Sequence, residues 1–569
     1  MTVSVKAPAP APSFAEHTER AYGRVEEMLF SSLGLLLAAG LGVIAAFGLI
    51  LGATRPAITA DEGTALATAK AATEGVNDWI DILAPPIQVA LYVPFFIFDH
   101  PEFAIVVPAL FGALLLVLVV AVAWRVTGMV WAGAIVGLLL LSSAEFWERS
   151  SNLAAYQVFV FFGYLGLLLI AWACVSARRS TGLAVGGGVS LALSAGSFTS
   201  GLLFLPVALL PALVWRARWR TALLGPAVAG VLLVPFAIWH IAVAGVRNAW
   251  FYPYNFLLVD YSEDFERFLN RPEYSLTGYL TRALPDMLLG AAPIWLWLPA
   301  AIGLLVIARV YGARLSAALV GAILAMLIPF VAVEQPPHAR YGYMLVPGIA
   351  LIAGVGLTLA LQSLAQHQVG RRALLVGVSL LAVVGASAAV SIHLDQVKAE
   401  RASGRYADLQ AMASRIDDDR ALLARTSYLQ VLLPDNLVYT HFFFSEAEYT
   451  DYVLWEDEEE VRQLFAERNI GWVVFQKNVW RWERDFNWWA YEATGSPPRH
   501  YVCLPQSAGF TQVYDGESFS LYKVDEGWLQ SEWPVSGSCV VPSCEEQTLP
   551  GAWRLESGQA DGNYYCESP

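Results

Sequence analysis

Charge is scarce in this chain of 569 residues. Only 15% are Asp, Glu, Lys or Arg, against 56% hydrophobic, and the mean hydropathy is +0.50. Such values exclude an ordinary soluble globular protein. Cysteine is scarcer still, five in all, and only Cys174 falls before Cys503. No glycine-rich Walker loop, HExxH, GxSxG or CxxC pair is present, which removes ATP-driven transport, zincin proteolysis and hydrolase-elbow chemistry from the favoured readings. Ionisable residues are missing from the middle of the long apolar runs, and inverted repeats are missing as well. Both absences speak against a lipid or solute transporter, the non-enzyme alternative. Beyond about Val397 long apolar runs also cease. The formal net charge of −14 gathers largely there, in stretches such as Asp417-Asp418-Asp419 and Glu456-Asp457-Glu458-Glu459-Glu460. It reads as a solubilising surface and argues against nucleic acid as a partner.

What is present up to about His393 is a series of apolar runs of roughly 17–25 residues, the length that crosses the hydrocarbon of a bilayer as helix. Spans are expected near 29–51, 104–124, 129–144, 155–176, 182–196, 200–215, 222–244, 287–308, 315–333, 341–361 and 373–393, about eleven transmembrane helices. Residues 1–28 form a polar leader on the cytoplasmic side, 29–396 a transmembrane domain and 397–569 an extracytoplasmic domain. Run 29–51 is too long for a signal-peptide core and reads as an uncleaved first span. Gly186-Gly187-Gly188 lies inside a span, where close helix packing explains it.

Arg125, Arg178, Arg179, Arg216, Arg218, Arg220, Arg309, Arg314, Arg371 and Arg372 fall on alternate connections. The positive-inside rule makes that side cytoplasmic and places the carboxy-terminal domain outside a cytoplasmic (inner or plasma) membrane. Four connections then reach the outer face with less ordinary chemistry: 55–84, 142–152, 245–286 and 334–343. The apolar stretch 85–98 is too short to cross and suits a re-entrant or interfacial helix.

Candidate site residues come from these outer connections. Asp61 and Glu62 follow the first span in Thr59-Ala60-Asp61-Glu62. A carboxylate at the rim of a membrane cavity can take a proton from a hydroxyl, hold a cation or cap a helix. Glu148 and Arg149, in SSAEFWERSSN, are either an ion pair closing a helix end or a second carboxylate beside a guanidinium whose fork matches phosphate oxygens. His338 and Arg340 stand in EQPPHARYGY before a late span, stiffened by Pro336-Pro337. Arg340 is the first choice for a phosphate ligand, and His338 can bind phosphate, metal or water. Tyr341 and Tyr343 beside them read as interfacial anchors.

The order of these features resembles the GT-C glycosyltransferases, in particular the bacterial protein O-mannosyltransferase-like enzymes and the aminoarabinose transferases of lipid A. The resemblance rests on DEGTALATAKAATEG and the following Pro-Pro pair, HPEFAIVVPALFGALLLVLVV, WERSSNLAAYQVFVFFGYLGLLL and PHARYGYMLVPGIALIAG, in that order over most of 29–393. Two positions depart from the pattern. Ala84 stands where a His commonly precedes the Pro-Pro pair, and Ser150-Ser151-Asn152 follow Arg149 where an Asp or Tyr is common. The resemblance implies a polytopic α-helical membrane protein with an outer α/β domain. It also implies an enzyme that moves a sugar, with inversion, from a polyprenyl-phosphate carrier to a hydroxyl of a glycan, lipid or protein acceptor. Asp61 matches the catalytic base, Glu62 its companion, and Arg340 a position tied to the lipid phosphate. Arg149 and His338 are further phosphate candidates and Glu148 a candidate second acid. A divalent cation is the one candidate cofactor, and the sequence does not require one. A polymerase or ligase of lipid-linked glycans is the enzyme-class alternative, although such proteins need no early Asp-Glu pair.

In the outer domain, helices are expected at 406–416 and 456–469 and strands at 421–424, 437–440, 471–476 and 519–524, an α/β layer. Cys503, Cys539, Cys544 and Cys566 are an even set confined to this region and read as two disulfides, while Cys174 stays a free thiol.

Overall fold

The computed structural model describes residues 60–75, 86–153, 156–176, 179–244, 284–332, 342–363, 368–402, 404–424, 428–439, 457–476 and 507–530, with a few single positions besides. The chain forms two compact units. One is made chiefly of residues 105–395, and the other of residues 396 onward together with 54–84 and 88–104. In chain order the first helices are α1 (Ala60–Glu74) and α2 (Pro86–Ile97). The stretch expected to be a short apolar helix, 85–98, forms a helix of 12 residues, Pro86–Ile97.

The first unit is a helix bundle. Its helices are α3 (Val106–Thr127), α4 (Val130–Leu141), the short α5 (Ala144–Ser150), α6 (Tyr156–Val175), α7 (Ser180–Ser197), α8 (Trp219–Ala244), α9 (Leu284–Ala291), α10 (Ile294–Tyr311), α11 (Ala313–Ala332), α12 (Val346–Ser363) and α13 (Gln368–Ala402). By length and composition, five stretches among the described residues suffice to cross a membrane: Pro101–Thr127, Tyr156–Val175, Arg216–Ile238, Ile294–Tyr311 and Tyr343–Gln362. The expected first span, 29–51, lies outside the described residues. The segment 200–215 is not one helix. It breaks into Thr199–Leu203, Phe204–Val207 and Leu210–Val214, where Pro206 and Pro211 each withhold a backbone donor.

The glycine run pulls helices together as expected. A Cβ on Gly187 would lie 2.9 Å from the Gly166 carbonyl oxygen of α6, and one on Gly188 would lie 2.7 Å from the Val228 Cβ of α8. With side chains absent at the crossing, backbones approach and van der Waals contact replaces the hydrophobic drive that lipid cannot supply.

Three hydrogen bonds identify one end of the bundle. The Tyr311 hydroxyl donates to the Val126 carbonyl at 3.2 Å, Arg218 Nη1 to the Ser176 carbonyl at 2.7 Å, and Gln362 Nε2 to Met129 Sδ at 3.4 Å. Arg125, Arg218 and Arg309 sit at these helix ends. The opposite end is tied by Ser143 Oγ, which donates to the Ala291 carbonyl at 3.0 Å, and by the Tyr164 hydroxyl, which donates to the Met344 carbonyl at 2.9 Å. Three of the arginines read as one-sided in the sequence, Arg125, Arg218 and Arg309, thus lie toward the end joined by the first three bonds.

The second unit is built on a five-stranded sheet of β1 (Ala421–Leu423), β2 (Val438–Tyr439), β3 (Ile470–Gln476), β4 (Phe510–Asp515) and β5 (Phe519–Val524), in the order β2-β1-β3-β5-β4. β1 pairs in parallel with β2 and β3, while β5 is antiparallel to β3 and β4. Strand β4 escaped the sequence reading. The antiparallel turn 515–518 that forms it is pinned by the Asp408 carboxylate, which accepts from the Ser518 amide at 2.6 Å and the Tyr514 hydroxyl at 2.7 Å. Alternation along the strands sends residues to two faces. Leu423, Tyr439, Val473, Phe475 and Tyr522 join one core cluster, and Leu422, Val438, Trp472, Val474 and Leu521 the other. Helix α14 (Gly404–Ala413) and helix α15 (Tyr428–Leu432) contribute Leu409, Met412 and Leu429 to the second cluster. The first is covered by α16 (Glu458–Glu467) through Val461, Leu464 and Phe465, by Trp528, and by Ala67 and Ala71 of α1. Helix α1 therefore belongs to the core of the carboxy-terminal domain, more than three hundred residues away in sequence.

Candidate functional site

Helix α1 begins at Ala60, so Asp61 and Glu62 both stand in its first turn, where a carboxylate is favoured by the helix dipole. Their side chains lie outside the described residues, as do His338 and Arg340 and the four carboxy-terminal cysteines, Cys503, Cys539, Cys544 and Cys566. Cys174 is free and buried.

The other predicted pair is fully visible. Helix α5 spans seven residues between two bundle helices, with Glu145 in its first turn and Arg149 in its last, each at the end its charge favours. Arg149 Nε donates to Glu145 Oε2 at 2.9 Å and Nη2 to Glu148 Oε1 at 2.6 Å. The guanidinium also stacks over the Tyr156 ring, 5.0 Å from its centroid. Burial opposes its charge, but Glu145 and then Glu148 outweigh that, and its pKa stands above the ordinary arginine value. The fork expected to face phosphate is therefore engaged by carboxylates of its own helix. Of the three side chains Glu148 is the most open, 25% exposed against 9% for Arg149 and 11% for Glu145.

Sequence reasoning missed the buried polar chain beneath this turn. Ser150 Oγ donates to the Phe146 carbonyl at 2.7 Å, and Gln157 Nε2 donates to Ser150 Oγ at 2.7 Å and to the Phe146 carbonyl at 3.2 Å. The Tyr343 hydroxyl completes the chain by donating to Gln157 Oε1 at 2.8 Å. Tyr343, expected as an interfacial anchor, is fully buried, because its hydroxyl finds this internal acceptor. The signal was a glutamine inside an apolar helix: a buried amide demands partners. Tyr343 lies three residues after Arg340 in sequence, and the link ties it to Gln157 of α6, which in turn bonds Phe146 and Ser150 of the helix that carries Glu148 and Arg149. Trp147 secures the turn further, donating its Nε1 hydrogen to the Leu141 carbonyl at 2.9 Å and stacking on His393 with centroids 6.4 Å apart. Among the described residues no three His, Cys, Asp or Glu side chains gather to hold a metal.

Removing the Tyr343 hydroxyl leaves a buried amide oxygen without its donor. Tyr343→Phe is expected to lower stability by about 1–3 kcal/mol, and Gln157→Leu by a similar amount. The double variant should lose clearly less than the sum, as thermal unfolding in detergent will show. Strict additivity would mean the two side chains are not coupled.

No family model matches the sequence, and no curated protein does. Solved structures do match in fold. ArnT from Cupriavidus metallidurans bound to undecaprenyl phosphate aligns at 14% identity with a TM-score of 0.59, over 88% of this chain and 99% of ArnT. The same protein in the apo state gives 16% identity and 0.58, over 86% and 97%. The oligosaccharyltransferase of Archaeoglobus fulgidus, tethered to an acceptor peptide, gives 14% and 0.50, over 87% and 74%. At these identities the likeness concerns architecture, and the architecture is the one the ordered sequence features had suggested: the chain has the GT-C fold, a polytopic helical bundle with a carboxy-terminal α/β domain.

Proposed function

We propose that this protein is a membrane glycosyltransferase that moves a sugar from a polyprenyl-phosphate carrier to an acceptor hydroxyl, with inversion. The observation that carries this reading is the fold shared with ArnT, a protein solved with undecaprenyl phosphate bound, over nearly the whole of both chains. Asp61 and Glu62 in the first turn of α1 supply the carboxylates such a reaction needs.

In the proposed step the acceptor hydroxyl attacks the anomeric carbon from the side opposite the carrier. A carbon–oxygen bond forms to the acceptor, the bond to the carrier phosphate breaks, and Asp61 takes the hydroxyl proton. Glu62 orients or charges the site. The departing phosphate is a good leaving group whose charge is met by Arg340, with His338 beside it. A divalent cation is a further candidate for that countercharge. Arg149, with two of its nitrogens engaged, serves by holding Glu145 and Glu148 in place, and Glu148 is the candidate second acid. The sugar and the acceptor class, whether glycan, lipid or protein, are left open.

The arginine-bearing end of the bundle is proposed to face the cytoplasm and the opposite end the outside. A cysteine placed at Ser403 should then react with an impermeant thiol reagent applied to intact cells, and one at Thr221 should not. Labelling at Thr221 alone would reverse the orientation.

The decisive variant is Asp61→Asn, which keeps size and polarity but cannot accept a proton. Transfer should fall by ~10²–10⁴-fold with carrier binding nearly intact, and Glu62→Gln should do less harm. If Asp61 only complements the helix dipole, the loss is confined to a few tenths of a kcal/mol of stability and transfer survives; that outcome would remove the proposed base.

Arg340→Ala should weaken binding of undecaprenyl phosphate, and Arg340→Lys should restore it only in part, because a point charge replaces a planar fork. Unchanged affinity in both variants would return Arg340 to the role of an interfacial anchor.

A further inference from the structure

Helix α1 has an unusual composition for an element that must hold a reacting group still. Across Ala65, Leu66, Ala67, Thr68, Ala69 and Ala71 every residue is buried, and only Leu66 is large. A helix of this length is marginal in water by itself. Within it the Thr68 hydroxyl donates to the Ala65 carbonyl at 3.0 Å. Its order therefore comes from what it packs against, and Ala67 and Ala71 join the cluster of Leu423, Tyr439, Phe465, Val473 and Trp528 on one face of the carboxy-terminal sheet. The small side chains of Ala67 and Ala71 seat α1 in that cluster and leave no long side chain to absorb a change in spacing.

We infer that the carboxy-terminal α/β domain is the seat of the candidate base: its sheet holds α1 through Ala67 and Ala71, which act as positioning residues for Asp61. This rests on the transferase reading above. Ala67 lies six residues beyond Asp61, about 9 Å along the same rigid helix, so any displacement at Ala67 moves the first turn with it. A misplacement of about 1 Å at a reacting group can cost about 10²-fold in rate. The outer domain is then a working part of the transferase, neither an accessory module nor an independent acceptor-binding unit. Changing the face of its sheet that bears α1 alters the chemistry directly, whereas changes in the core on the other face do not.

The test uses the full-length protein in lipid nanodiscs and compares Ala67→Leu with Leu409→Ala, a core change on the other face of the same sheet. Three quantities are read: thermal unfolding, affinity for undecaprenyl phosphate, and kcat and KM for transfer at a temperature where both variants are folded. Ala67→Leu should lower kcat by about ten- to a hundredfold while carrier affinity and the donor KM stay within about twofold, the scale on which remote sites remain uncoupled. Leu409→Ala should lower the unfolding temperature and leave kcat near that of the parent. Ala67→Ser, close to the parent in volume, should retain transfer. If Ala67→Leu does not fold, Ala71→Val carries the same comparison. Undiminished kcat in the folded large-residue variant would overturn the inference, as would equal losses of kcat in Ala67→Leu and Leu409→Ala. Failure of the base assignment is read separately, from survival of transfer in Asp61→Asn.

Discussion

A guanidinium removed from water at the end of an apolar helix bundle is costly unless its charge is met, and Arg149 is met by Glu145 and Glu148 together. Much of the arrangement at that end follows from this constraint. The i,i+4 spacing of Glu145 and Arg149 requires that 144–150 be helical, and the helix must be short because its ends join two bundle helices. Once α5 is helical, its last turn presents Ser150 to Gln157, and Gln157 has an oxygen to offer Tyr343. A charge requirement in one loop thereby fixes the start of a helix almost two hundred residues later.

The two units hold their candidate groups by different physics. In the bundle, positions are set by directional hydrogen bonds with donors and acceptors counted out in an apolar surrounding, where each missing partner is expensive. In the carboxy-terminal unit, α1 is held by close packing against a sheet face. That packing is non-directional and depends on volume. Substitutions should accordingly be felt through chemistry at Gln157 and Tyr343, and through size at Ala67 and Ala71. A proton acceptor on a stiff helix suits the second method: the helix carries the first turn as a rigid extension of the contact, and the carboxylates themselves need not be part of it.

The sequence was most legible where one physical signal dominated. Apolar runs marked most of the described helices between 104 and 393, with 200–215 the exception, since a bilayer-facing helix must be apolar over its whole length. Arg125, Arg218 and Arg309 marked one end of the bundle, and the glycine run marked a close crossing. Legibility failed where a residue's environment was set by distant chain. Tyr343 has the composition of an anchor, and only the buried Gln157 oxygen makes it a core residue. Ala67 and Ala71 carry almost no hydrophobic signal, so nothing local announced that α1 completes a domain beginning at residue 396. Strand β4 was hidden because four of its six residues, Thr511, Gln512, Val513 and Asp515, are exposed, as an edge strand permits. Ion pairing was anticipated at Glu148 and Arg149, but the third member, Glu145, was not assigned a part, although its i,i+4 offset was available.

The choice of arginine at 149 follows from the same geometry. Two carboxylates on one short helix, at positions 145 and 148, approach the cation from different sides, and they are met by different nitrogens, Nε and Nη2. A lysine ammonium is a single strongly hydrated point that cannot lie flat over the Tyr156 ring or present two separated donors in a fixed plane. The planar fork lets Glu145 be held deep while Glu148 keeps a quarter of its side chain exposed. Among these three groups, the more accessible carboxylate is oriented by a cation that is itself immobilised by the less accessible one. That ordering, from buried to open, is how a protein presents a carboxylate without leaving it free to wander, and it makes Glu148 the most open member of the turn.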